Sequence, residues 1–232
     1  MKIAVISDIH GNIFALEAVL QDIFDIGVDR IFFLGDLTGY YYHPKEVLYR
    51  LIEIKATMIL GNHEKLLFDC VDGKLDPNIL SLKYGSGHRI ALEEFSISDI
   101  NYLRSLPDFF IENLNDLSIG CFHGSPFNPD FYIYPDASFD ILQKCDVGLD
   151  LVFVGHSHYP FVIEMDYGKL INVGSVGQSR TNGGVASWCF FDSVLQTVEL
   201  KSTHYDTQNL LKLVQLYDPE IPYLRNVLKR TI

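Results

Sequence analysis

An apolar run that stops at an acid, an amide or an imidazole recurs five times along this chain, and this recurrence constrains the fold more than any other feature. Ile3, Ala4, Val5 and Ile6 run into Asp8 and His10. IFFLGD ends at Asp36, MILGNH at Asn62 and His63, SIGCFH at His123, and LVFVGHSH at His156 and His158. Short apolar runs with β-branched and aromatic residues suit buried strands. In open α/β folds, chemistry gathers beyond the carboxyl ends of such strands. Five of the eight histidines follow an apolar run directly, where chance placement would scatter them more.

The segments between these runs predict helices. Ile13, Leu16, Leu20, Ile23 and Phe24 keep a helical stripe that Gly27 closes. Pro44 suits the first turn of a second helix carrying Val47, Leu48, Leu51 and Ile52. With strands at Arg30 to Leu34 and Thr57 to Leu60, the start reads βαβαβ, the pattern of a parallel sheet covered by helices. Lys65 to Leu106 reads mainly helical and without chemistry, with Ser98 as an N-cap and Pro107 as a stop. Leu117 to Phe122 is a strand, and His123 to Ala137 a long loop rich in proline and aromatics. Runs at Leu151 to Val154, Phe161 to Glu164, Leu170 to Val173, Ser187 to Phe191 and Thr197 to Leu200 predict short strands with hairpin turns, DYGK among them. Thr207 to Ile232 reads as two helices separated by Asp218 to Pro222.

Composition narrows the function. At 232 residues, 48% of them hydrophobic, the chain is expected to form one domain over residues 1–232. A net charge of −12 argues against an extended nucleic-acid surface, which requires a basic face. Cys70, Cys121, Cys145 and Cys189 are far apart with no C-x-x-C, so neither a thiolate zinc site nor a disulfide framework is indicated. No signal h-region or membrane span is evident, and a cytoplasmic location is expected.

Asp8, His10, Asp36, Asn62, His123, His156 and His158 form an oxygen and nitrogen set that suits Mn, Fe, Co, Ni or Zn ions better than calcium. Seven groups are too many for one ion but serve two ions sharing a carboxylate, an arrangement that clamps phosphate oxygens. Only Asp8 and Asp36 are acids that follow strands in this set, and Asp8 is already paired locally with His10, which favours Asp36 as the bridge.

The motifs D-x-H (Asp8, His10), G-D-x-x-x-Y (Gly35, Asp36, Tyr40), G-N-H-E (Gly61 to Glu64), HGSP with His123, and G-H-S-H (Gly155 to His158) occur in that order. Together they resemble the calcineurin-like metallophosphoesterases, in particular the compact prokaryotic branch of diadenosine tetraphosphatase-related phosphoesterases. INVGSVGQSR (Ile171 to Arg180) is similar to a later stretch of that branch, with Val173 and Ser179 at its proline positions. The resemblance implies an α/β fold, a four-layer α/β/β/α sandwich with two mixed central sheets. It implies two divalent ions, with manganese favoured: Asp8, His10 and His158 on one, Asn62, His123 and His156 on the other, Asp36 bridging. His63 would be the general acid facing the leaving group. The implied activity is hydrolysis of phosphodiesters or phosphomonoesters, of small nucleotides or dinucleoside polyphosphates, by a hydroxide held between the ions. A phosphoprotein phosphatase is disfavoured, because Leu37 to Tyr40 holds no arginine where those enzymes carry one. A non-catalytic metal-binding scaffold of the same fold is the remaining alternative.

Single residues admit plainer readings. Asp8 alone is compatible with a helix cap, His10 with a satisfied polar group, and Asp36 and Asn62 with turn residues. Arg180 is compatible with phosphate binding or a surface salt bridge. Phe127, Phe131, Tyr132 and Tyr134 suit packing of a long loop better than nucleobase stacking. Tyr40, Tyr41, Tyr42 and His43 are compatible with the rim of the site. His88 and His204 follow no strand and are expected to be solvated, and Glu64 is expected to favour the first turn of its helix.

Overall fold

Ile3 to Ile6 are wholly buried because the strand they form lies in the middle of a sheet, with a layer on each face. The computed structural model describes residues 1–231. It begins with β1 (Lys2–Ile6), α1 (Ile13–Ile26), β2 (Arg30–Phe33), α2 (Pro44–Glu53) and β3 (Thr57–Met58). Four helices follow: α3 (Asn62–Val71), α4 (Pro77–Tyr84), α5 (Gly87–Glu94) and α6 (Ile97–Arg104). β4 (Phe109–Leu114), β5 (Leu117–Phe122), α7 (Phe139–Cys145), β6 (Leu151–Val154), β7 (Phe161–Glu164) and β8 (Lys169–Asn172) come next. β9 (Val185–Asp192), β10 (Thr197–His204), α8 (Gln208–Tyr217) and α9 (Pro222–Leu228) complete the order.

The strands form two mixed five-stranded sheets, ordered β10-β9-β1-β2-β3 and β4-β5-β6-β8-β7. β1, β2 and β3 are parallel, whereas β9 runs antiparallel to both β1 and β10. In the other sheet β5, β6 and β8 are parallel and the outer strands antiparallel. Alternation along β1 decides the layering. Ala4 and Ile6 pack outward with Leu16, Leu20 and Val47 of the first two helices, while Ile3 and Val5 pack inward with Ile119, Phe153 and Ile171 of the second sheet. Burying each large aliphatic side chain stabilises the fold by about 1.5–3 kcal/mol. The far face of the second sheet is covered by the 131–149 segment with α7, through Ile133, Cys145 and Leu149. The order is therefore helix, sheet, sheet, helix.

Most expected elements are present, with specific differences. Gly27 closes α1 at φ 73° and Pro44 opens α2. β3 is only two residues long, because Leu60 turns away to donate its N–H to the Pro107 carbonyl. The cap of α6 is Ser96, not Ser98: the Ser96 hydroxyl accepts from Asp99 N–H, and the Asp99 carboxylate accepts from Ser96 N–H. β4 and α7 are elements that the sequence pattern did not reveal. The tail divides into α8 and α9 as expected, and both pack over Tyr40, Tyr41 and Tyr42.

Candidate metal centre

Each expected ligand lies at or just past the carboxyl end of a strand. Five of the seven, Asp8, His10, Asp36, His156 and His158, have φ between 53° and 62°. Left-handed backbone costs a non-glycine residue free energy, and such residues persist where surrounding structure holds them. The chain turns so sharply here that successive ligands point into one space.

That space contains two groups. In the first, His158 Nε2 lies 3.2 Å from Asp8 Oδ1 and 3.2 Å from His10 Nε2, with 3.8 Å between His10 Nε2 and Asp8 Oδ1. In the second, His123 Nε2 lies 3.0 Å from Asn62 Oδ1, 3.1 Å from His156 Nδ1 and 3.3 Å from Asp36 Oδ2. Asp36 Oδ2 also lies 3.8 Å from His10 Nε2, so this one oxygen faces both groups. Metal–ligand bonds of about 2.0–2.2 Å place neighbouring ligand atoms roughly 3–3.5 Å apart. Five of the seven separations fall in that range, and the two of 3.8 Å, both from His10 Nε2, lie just above it.

The hydrogen bonds around the imidazoles select their tautomers. The Nδ1–H groups of His10, His123 and His158 point at the carbonyls of Thr38, Leu34 and Gln178, at 2.9, 2.8 and 2.8 Å, which leaves each Nε2 free to ligate. His156 is reversed, its Nε2 near the Asp130 carbonyl at 3.3 Å and its Nδ1 turned inward. Buried Asp8 Oδ1 has no hydrogen-bond partner. An ionised oxygen left so would be costly without a cation, and the donor set therefore fits divalent metal.

Charge within the pocket is divided unevenly. Burial raises the Asp36 pKa, but His123, His63 and His10 together hold it well below the usual carboxylate range; Asp8 is likewise lowered, chiefly by His158 against its burial. Burial alone would lower His123, yet the charge and hydrogen bond of Asp36, with the charge of Asp8 and the Leu34 carbonyl, together raise the pKa to about 10. His10 and His156 are pushed down to about 4 by burial.

Glu64 does more than favour a helix turn. Its buried carboxylate accepts from the backbone N–H groups of Asp36, Thr38 and Gly61 at 2.8, 3.0 and 3.0 Å, tying two ligand-bearing loops together. Asp8 is not a helix cap; Asn12 caps α1, and Asp8 Oδ2 accepts the His156 N–H at 2.9 Å. A Cβ on Gly155 would lie 2.5 Å from that oxygen, so only glycine fits there.

His63 lies beside this constellation with its Nδ1 buried. His88, expected in solvent, is instead completely buried, its ring stacked on His63; His204 is exposed as expected. Arg180 is half-buried, its guanidinium 5.8 Å over the Tyr223 ring, with no ion pair among the described residues. Phe127 and Phe131 pack on each other, whereas Tyr132, part of the same loop, stacks on His156 with 3.8 Å between centroids. A groove of about 460 Å³ opens onto Asn62 and His156, between Tyr84 and Tyr132, with Lys65 and Leu66 along it.

The family match assigns this layered pair of mixed sheets, with Asp, Asn and His groups at its strand ends, to the metal-dependent phosphoester hydrolases. The sequence profile of the calcineurin-like phosphoesterase superfamily domain matches residues 1–193, and the chain belongs to that family. The chain is similar to the uncharacterized protein MJ0912 of Methanocaldococcus jannaschii, with 34% identity over 94% of each chain. Among solved structures it is similar to a metallophosphoesterase from Sphaerobacter thermophilus, with 26% identity, a TM-score of 0.79 and coverage of 97% of this chain and 99% of the other. The hypothetical protein PH1004 from Pyrococcus horikoshii shares the fold at 22% identity and a TM-score of 0.82, over 97% of each chain. Among the described residues, no helix is long and apolar enough to cross a membrane.

Proposed function

We propose that this chain hydrolyses phosphodiesters or phosphomonoesters of small nucleotides, dinucleoside polyphosphates included, with two divalent ions held by Asp8, His10 and His158 and by Asn62, His123 and His156, Asp36 between them. The observation that carries this reading is Asp36 Oδ2, within 3.8 Å of His10 and 3.3 Å of His123, one from each group. Two ions bound there would supply Lewis acidity towards the phosphoryl oxygens and a hydroxide nucleophile near neutral pH, with manganese the favoured ion.

The protein's own groups do the rest. The Nδ1 contacts to Thr38, Leu34 and Gln178 keep three imidazoles aimed inward. Arg180, with no carboxylate partner among the described residues, is available to a phosphate oxygen. His63 is the group assigned to protonate the oxygen that leaves phosphorus, a contribution worth roughly 10²–10⁴ in rate; burial and the imidazoles of His10, His88 and His158 lower its pKa, and the charge of Asp36 opposes them. The groove between Tyr84 and Tyr132 offers an aromatic wall for a nucleobase or aryl leaving group. The four free cysteines fit a reducing, cytoplasmic setting.

The test is a screen of manganese-loaded protein against nucleoside monophosphates, nucleotide diesters and dinucleoside polyphosphates, comparing kcat/KM. Turnover that needs metal and prefers a nucleotide ester supports the reading. No turnover of any ester by fully loaded protein would sink it and favour a scaffold.

A further inference from the structure

The His63 ring is enclosed on most sides. His88 lies parallel to it, 5.0 Å between centroids at 16°. Tyr84 and His10 meet it edge-on at 4.8 and 4.7 Å, and Tyr40 is tilted against it at 5.2 Å. The backbone of Gly39 sits against Nδ1, where a Cβ would overlap the ring. Two of these rings flank one turn, Tyr84 at the end of α4 and His88 at the start of α5, in the helical stretch that supplies no strand-end ligand.

That turn is fixed from behind. Ser86 donates its N–H and its hydroxyl to the Asp218 carboxylate, at 2.9 and 2.7 Å. A Cβ on Gly87 would lie 2.7 Å from the carbonyl oxygens of Gly39 and Tyr41. Gly87, Gly39 and His63 thus stand in series, and the turn cannot shift without pressing on the catalytic candidate. His88 is fully buried, and neither ring nitrogen makes a hydrogen bond; the main chain of His63 is its polar neighbour. Burying unsatisfied nitrogens costs free energy that an aliphatic side chain of similar volume avoids. What the aliphatic side chain lacks is a flat face to stack.

We propose that His88 is a positioning residue whose stacked ring fixes the plane of His63, so that the imidazole faces the departing oxygen. The proposal rests on His63 as proton donor. As the P–O bond breaks, its electron pair leaves with oxygen, which takes the proton from His63.

The test uses the manganese-loaded full chain and aryl methyl phosphodiesters running from p-nitrophenyl, which leaves without a proton, to p-methoxyphenyl, which needs one. His88→Leu keeps volume and loses the flat face. It is expected to lower kcat about tenfold for p-methoxyphenyl and less than about twofold for p-nitrophenyl, with KM unchanged. His88→Phe restores the stack and is expected to bring the ratio of the two rates to within about threefold of the parent. That ratio does not depend on the folded or metal-loaded fraction, so a partly unstable variant still reports. Equal loss on all esters, an unchanged His88→Leu, or no restoration by His88→Phe overturns the proposal. A His63→Gln variant with an unchanged ratio overturns it together with the proton-donor assignment, whereas a parent inactive on the whole series instead removes the phosphodiesterase reading beneath both.

Discussion

Asp36 and His63 are joined through the main chain: Asp36 Oδ1 accepts the His63 N–H at 2.8 Å, while Oδ2 faces the imidazoles of His10 and His123. One carboxylate therefore sets both the proposed metal bridge and the start of the helix that carries the proposed acid. Asp36→Asn keeps an oxygen for His63 N–H but places an amide against His123, so it is expected to lose bound metal and at least about 100-fold in kcat/KM. His63→Gln is expected to keep its metal and lose roughly 10²–10⁴ in kcat for poor leaving groups. Metal analysis beside kinetics separates the two, and equal metal loss in both variants would contradict the division of roles.

Acidity gives a second expectation. In metal-free protein burial is the largest single influence and lowers the His123 pKa, but the charge and hydrogen bond of Asp36, the charge of Asp8 and the Leu34 carbonyl together overcome it and raise the pKa from 6.5 to about 10. A raised folded-state value contributes stability that is complete below pH 6.5 and lost as pH rises through about 10. Chelated protein should therefore melt at progressively lower temperature over that window. The same proton competes with metal, so affinity should rise with pH. Melting curves on chelated protein, with metal titrations at several pH values, check both; a melting temperature that climbs across the window would refute the sign.

Backbone conformation provides a third. His158 has φ 62°, where glycine is about 1–2 kcal/mol easier to hold than alanine, whereas Asn62 opens α3, where alanine is the better residue. His158→Gly should thus unfold at higher urea than His158→Ala in chelated protein. At Asn62 the order should reverse. The same order at both positions would show that left-handed strain is not what distinguishes them.

The buried carboxylate of Asp218 accepts from the Tyr42 hydroxyl at 2.8 Å as well as from Ser86 N–H and hydroxyl. Asp218→Ala leaves these donors without an acceptor, at a cost of about 2–4 kcal/mol. Urea unfolding should show it, and a loss below about 0.5 kcal/mol would mean that the donors find other partners.

How far the sequence displayed all this depends on range. Strand ends and their polar residues are local, and Asp8, His10, Asp36, Asn62, His123, His156 and His158 could be named from pattern alone. β4 was hidden because Phe109 and Ile111 face outward, half exposed, while Phe110 and Leu114 pack inward, so no alternation of apolar and polar marks it. α7 has seven residues, too few to establish a helical period. The burial of His88 depends on Gly39 and Asp218, 49 and 130 positions away, and no window in the sequence contains both. Glu64 bonding to Asp36 and Thr38 is long-range in the same way.

Helices α8 and α9 lie beyond the span matched by the family profile, yet Tyr223 of α9 donates to Gln178 Oε1 at 3.3 Å and lies under Arg180. Gln178 in turn offers its carbonyl to His158. The C-terminal helices thus act as a buttress, and differences among relatives in this short appendage could retune the mouth of the candidate site while every proposed ligand stays the same.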